Sequence, residues 1–242
     1  DLDCSEMGND VMIGSFLSDP FNGTFDGDTH TITVDIDDLA ELGVGLFRMV
    51  YGGSIQDLTV DGTVTGEDVT GSVAGIAVDS VFENVHASST VSSLVADSPE
   101  YPFTGTGGIV GGLFGGLIDN ATFTGFVGSP IAAGGIAGFV LNDLSTGPGA
   151  IISRSSSNVY MYAGNGAGGI AGYLASGSQI RNSFASSSVA FYPDFATVYG
   201  SGALGGLVGF MDRSVVSRSY STGSVSAGGE TEADISGGLI GV

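Results

Sequence analysis

The sequence predicts an all-β chain, folded as a right-handed parallel β-helix (β-solenoid) of about six to seven coils. Three observations lead there. A short glycine block recurs along the 242 residues. A ten-residue block of alternating polarity follows six of its seven copies. No two-residue Asn-Gly or Asp-Gly turn joins one ten-residue block to the next, so the blocks cannot pair as tight hairpins.

The glycine block reads Val44-Gly-Leu-Phe47, Gly71-Ser-Val-Ala-Gly75, Gly107-Gly-Ile-Val-Gly111 and Gly134-Gly-Ile-Ala-Gly138. It returns as Gly168-Gly-Ile-Ala-Gly172, Gly205-Gly-Leu-Val-Gly209 and Gly237-Gly-Leu-Ile-Gly241. Its starts are 27, 36, 27, 34, 37 and 32 residues apart, a loose period that suits coils with common strands and unequal loops. Paired glycines are expected where the chain turns tightly or where neighbouring coils approach closely.

The second block spans 55–64, 82–91, 118–127, 152–161, 180–189 and 216–225. Each copy opens on a large apolar residue and places another nine positions later, from Ile55 and Val64 to Val216 and Val225. Positions four and six are apolar or small, and position three is always polar: Asp57, Asn84, Asn120, Arg154, Asn182 and Arg218. Alternation of this kind predicts a ten-residue strand with one face inside and the other in solvent. Stacking each strand on its equivalent in the next coil satisfies the backbone at about 4.8 Å per coil and makes a rod roughly 30 Å long. The expected organisation is an N-terminal cap and first coil over 1–43, then one continuous repeat domain over 44–242.

Composition agrees with a packed, tightly turning backbone. Forty-three glycines accompany 42% hydrophobic residues, which disfavours disorder, and no Gly-X-Y period supports collagen. Charge excludes some partners. Twenty-six acids face five arginines and no lysine, for a net charge of −21. No basic stripe can be assembled for nucleic acid, and insertion into a membrane or binding to an anionic one is disfavoured. The imbalance is uneven: residues 1–100 carry −18 and residues 101–242 carry −3. An acidic, lysine-free exterior suits halophilic conditions, because a Debye length near 3 Å at 1 M salt relieves its self-repulsion. Cys4 is the sole cysteine, so no internal disulfide forms. It reads as a small buried or capping residue, with an intermolecular bond or lipid attachment as the sharper reading.

The Gly-Gly-Ile-Ala-Gly and Ile-x-Asn-Ser/Val segments resemble the GLUG motif of bacterial and archaeal surface proteins, a motif also found beside IgA-specific metallopeptidases. The stretch Phe21-Asn-Gly-Thr-Phe-Asp-Gly-Asp-Thr-His-Thr-Ile32 is similar to the Phe-x-Gly-x-Phe-Asp-Gly-x-Gly-His-x-Ile opening of such repeats. It departs from that pattern at Asp28-Thr29. The resemblance covers roughly residues 20–242 and implies a solenoid of an extracellular surface protein; it carries little about activity.

A catalytic site is not expected. The only histidines, His30 and His86, fall in predicted strand regions without a second metal ligand beside them, and no His-Glu-x-x-His helix or Gly-x-Ser-x-Gly elbow occurs. The rival is a carbohydrate-cleaving β-helix of the polysaccharide lyase or glycoside hydrolase kind. A lyase would use Lys or Arg to hold a uronate, and a glycosidase would need two carboxylates about 5–9 Å apart. Asp57 and Asp61 on one strand lie about 13 Å apart at roughly 3.3 Å per residue.

Binding candidates remain. Asp26, Asp28, Asp35, Asp37 and Asp38 supply hard oxygen ligands for Ca2+, without EF-hand spacing. Two long connections, 92–106 and 190–204, carry Tyr101, Phe103, Tyr192, Phe195 and Tyr199, aromatics suited to sugars or protein contacts. Asn22 and Asn120 open formal glycosylation sequons, which would make the chain a glycoprotein. The expected role is a secreted, non-catalytic adhesin stalk or filament subunit. Its partners would be itself, stacked head to tail through open ends, other surface proteins, or glycans.

Overall fold

The computed structural model describes residues 1–94, 104–142, 148–191, 202–226 and 235–241. Three parallel sheets wrap one core as a β-solenoid. A full turn is illustrated by Gly43–Val44 on a short face, Phe47–Tyr51 on a middle face and Ser54–Gly66 on a long face. The next turn repeats this as Val69–Gly71, Ala74–Val78 and Val81–Ser93. Later turns follow to Val225–Ser226, and Ile235–Gly237 starts another rung on the short face.

The register is the one the sequence blocks predict. Ile55, Phe82, Ile118, Ile152, Ile180 and Val216 stack in one parallel column. Val64, Val91, Val127, Met161, Val189 and Val225 form a second. Both columns line the core, and all but the terminal Val216 and Val225 are fully or almost fully buried. Truncating one such side chain removes buried area and leaves a hole in a lumen closed on three sides.

One expectation is corrected. The block is not a uniformly extended strand, because its third residue is left-handed in every copy: φ is +50° at Asp57, +55° at Asn84 and Asn120, +51° at Arg154, +53° at Asn182 and +49° at Arg218. The long face therefore bends at that place; it divides into two strand segments in the coils of Leu117–Asp119 with Thr122–Ser129 and of Ile151–Ser153 with Ser156–Ala163, and into three in the two coils that follow. Asn and Asp tolerate this conformation better than other residues with a Cβ, which explains four of the six choices at the bend.

A serine, buried at Ser155 and Ser183 and half-buried at Ser219, stitches the bend in the later coils. Ser155, Ser183 and Ser219 each donate Oγ to the carbonyl two residues back, at 2.8–2.9 Å. Each also accepts the N–H of the matching residue one coil earlier, from Ala121, Ser155 and Ser183, at 3.1–3.2 Å. A hydroxyl thus replaces the ladder bond that the left-handed residue interrupts.

The glycine blocks mark the junction between the short and middle faces, as expected. A Cβ on Gly108, Gly135, Gly169 or Gly206 would run into the carbonyl oxygen of the equivalent glycine in the next coil. Ser72, at the matching place one coil earlier, instead donates Oγ to Gly108 O at 2.6 Å. Outside the lumen, a second apolar cluster includes Met49, Ile76, Phe114 and Phe139. On the same face Tyr173 stacks on Phe210, with centroids 4.7 Å apart and planes within 12°.

Residues 1–12 close the outer edge of Thr31–Asp38. Leu2 and Asp3 pair with Ile32 and Thr33, and a 3-10 helix over Ser5–Val11 follows. The Asn9 amide donates to Asp37 O at 2.8 Å and accepts Asp37 N–H at 3.0 Å, so a side chain imitates a neighbouring peptide group. Cys4 is half-buried against the core, and its N–H bonds Thr33 O at 2.8 Å. Head-to-tail stacking meets an edge already paired at this end. His30 precedes its strand rather than lying in it, whereas His86 lies within Val81–Ser93.

Gly135→Ala is expected to cost about 1–3 kcal/mol in urea unfolding, because carbonyl and serine neighbours must move. Gly177→Ala, left-handed but facing open space, should cost only about 1 kcal/mol. Equal costs at the two positions would show that coil contact does not set the glycine requirement.

Candidate functional site

The left-handed residues recur at the same place in successive coils, half-buried at Asp57 and Asn84 and exposed from Asn120 onward, and so form an outer row, termed the groove. Along this groove the third-position residues join coil to coil. Asn84 Nδ2 donates to Asp57 Oδ1 at 2.8 Å, and Asn120 Nδ2 donates to Asn84 Oδ1 at 2.8 Å. Further along, Arg218 Nε donates to Asn182 Oδ1 at 2.7 Å. Amides and carboxylates in the first half give way to guanidinium groups in the second.

Arg154 grips Asp119 of the preceding coil with both arms of its fork, Nε to Oδ1 at 2.9 Å and Nη2 to Oδ2. That hydrogen bonding holds the Asp119 carboxyl below the usual aspartate range, against the opposing effect of partial burial. The same bond raises the Arg154 guanidinium. Arg154, Arg181, Asn182 and Arg218 line a shallow depression of about 260 Å³ together with Leu117, Asp119 and Ser153.

Aromatic rings stand on the outer side of the same sheet. Phe184 and Tyr220, two residues beyond the bend in adjacent coils, stack with centroids 5.4 Å apart and planes within 9°. They are 40% and 55% exposed. Phe126, Tyr160 and Tyr162 make a second cluster, with Tyr160 and Tyr162 edge to face at 4.9 Å. Sequence reasoning missed both clusters. Their signal was the fifth and ninth positions of the block, where Thr, Ser and His give way to rings only in particular coils, with Tyr162 just past the block's end.

The predicted aromatics Tyr101, Phe103, Tyr192, Phe195 and Tyr199 lie outside the described residues. The five aspartates fall in two places. Asp26 accepts from Gln56 Nε2 at 3.0 Å and from the Asp28 N–H at 2.9 Å. At the far end of the same coil, Asp38 is buried in an ion pair with Arg48 at 2.6 Å, beside Asp35 and the Asn9-bound Asp37. Among the described residues, no three His, Cys, Asp or Glu side chains gather to hold a metal ion. Asn22 is exposed, whereas the exposed Asn120 has its amide nitrogen engaged with Asn84. His30 sits near Asp1 and Asp28, and His86 Nδ1 meets Thr122 Oγ1 at 2.7 Å.

No family model matches the chain, and no curated protein does. Solved structures do share its architecture. One is the crystal structure of a putative immunoglobulin A1 protease from Bacteroides ovatus, with a TM-score of 0.64 at 17% identity over 89% of this chain and 68% of that one. Another is an IgA1 protease, with a TM-score of 0.62 at 16% identity over 99% of this chain. The likeness is one of fold. In the second case this chain spans only 19% of the other protein's length. Among the described residues, no helix is long and apolar enough to cross a membrane.

A lowered aspartate pKa contributes stability that is present above the unfolded value and lost as pH falls through the folded one. Carbon-detected NMR should find Asp119 titrating below the usual aspartate range, and Arg154→Gln should raise it. An unshifted Asp119 in the parent protein would remove the ion pair from the solution structure.

Proposed function

We propose that this chain is a secreted, non-catalytic β-solenoid that serves as the stalk of an extracellular, cell-surface adhesive protein. The observation that carries the reading is how the groove spends its polar side chains. Asp57, Asn84 and Asn120 tie three coils together, Arg154 engages Asp119, and Arg218 engages Asn182. These groups stiffen the rod along its axis instead of converging on one reacting atom. A carbohydrate-cleaving site would need an acid and a base free to face one bond, yet Asp57 and Asp119 are both committed to partners.

The extracellular assignment draws support from the fold likeness to proteins named as IgA1 proteases and from the resemblance of the repeats to surface-protein motifs. A net charge of −21 with no lysine keeps such a surface soluble and favours a salt-rich surrounding. The stalk is preferred to the filament because residues 1–12 already occupy one strand edge.

Incubation with immunoglobulin A1 and with acidic and neutral polysaccharides is expected to release no fragments over a day, as judged by gel and reducing-sugar assays. Cleavage of any of them would overturn the non-catalytic reading. Sedimentation in about 0.1 M and 1 M NaCl, either side of the screening range, should give a monomer in both. Salt-promoted filaments would restore the subunit alternative.

A further inference from the structure

Three of the five arginines in this acidic chain stand at one corner of successive coils, Arg154, Arg181 and Arg218. With coils about 4.8 Å apart, the outer two α-carbons are separated by roughly 10 Å. Among the described residues, only Arg154 is held by a close carboxylate, Asp119, with Glu83 contributing a weaker attraction from one coil further back. Arg218 leans on a neutral amide oxygen of Asn182, and the Arg181 guanidinium forms no hydrogen bond among the described residues, though the Asp119 carboxylate attracts it through space. Among the described residues no carboxylate is hydrogen-bonded to either of these two guanidinium groups, which makes a local surplus of positive charge in a chain of 26 acids. Planar forks of this kind suit carboxylate or sulfate oxygens.

The stacked Phe184 and Tyr220 lie beside that surplus, each two residues past the bend and so about 7 Å along the strand. Their exposed rings offer an apolar platform next to a charged one, and Ser186 and Thr222 extend the same outer surface with hydroxyl groups. We propose that this corner binds an acidic polysaccharide, its carboxylate or sulfate on Arg181 and Arg218 and an apolar sugar face against Phe184 and Tyr220. Acidic peptides satisfy the arginines but leave the paired rings without a purpose. The inference names a ligand class for the adhesive role proposed above, on which it rests. Binding is measured on the isolated chain, so its outcome is separate from the cleavage and sedimentation results.

The experiment titrates fluorescent oligogalacturonate, a sulfated oligosaccharide, a neutral oligosaccharide of equal length and oligoglutamate against the whole chain at low salt. An acidic sugar is expected to bind at least about tenfold more tightly than the neutral sugar and oligoglutamate. The double change Arg181→Gln with Arg218→Gln should weaken that binding by at least about tenfold, and Phe184→Ala with Tyr220→Ala by at least about threefold. Arg213→Gln, a charge removed outside the corner, should leave it unchanged. The proposal is overturned if neither acidic sugar binds, or if the double arginine variant binds like the parent. It is equally overturned if oligoglutamate binds as well as the sugars, which would indicate an acidic peptide. Indifference to the ring substitutions would also overturn it, leaving a bare anion site.

Discussion

The parallel backbone ladder is the constraint on which every other feature depends. Strands of one coil find their hydrogen-bond partners only in the coils above and below, so equivalent residues are forced into columns. Once that is so, each column must be made of groups that tolerate their own kind at about 4.8 Å. Apolar side chains do this by packing, glycines by having nothing to collide, serines by passing one hydrogen bond to the next coil, and amides by pairing end to end. Charge is the exception, because identical charges repel in a stack. The third-position column meets that difficulty by mixing residue types: acid with amide, amide with amide, guanidinium with amide.

Much of the fold was legible because columns leave a periodic trace. Ile55 to Val216 and Val64 to Val225 were recognisable as equivalents from spacing alone, and they are paired as expected. The bend at the third position was not, since a polar residue in an alternating strand looks like an ordinary outward side chain. Asn84, Asn120 and Asn182 hinted at left-handed backbone, but Arg154 and Arg218 adopt it without any local preference, held by coil geometry and by their bonds to Asp119 and Asn182. The Asn9 contact to Asp37 joins residues 28 apart through a side chain, and no periodic pattern encodes it.

The candidate site was harder to read than the fold for a related reason. Function in a solenoid resides where a column departs from its own pattern, and a reading that searches for similarity passes over departures. The fifth-position series Thr59, His86, Thr122, Ser156, Phe184, Tyr220 looks like noise until the rings are seen stacked on an exposed face. The arginines were read as too few for nucleic acid, and Arg154 and Arg218 as outward polar residues of the repeat, whereas the meeting of Arg154, Arg181 and Arg218 at one corner is what distinguishes them.

The Asn9 amide at the first rung separates two properties that usually compete in repetitive β structure. Coils can be gained or lost in the middle by duplication, lengthening or shortening the protein, without re-exposing the sticky border that this short segment masks. Along Thr31–Asp38 the ladder is thus already occupied by Leu2, Asp3, Cys4 and the Asn9 amide, whatever number of coils stands behind it.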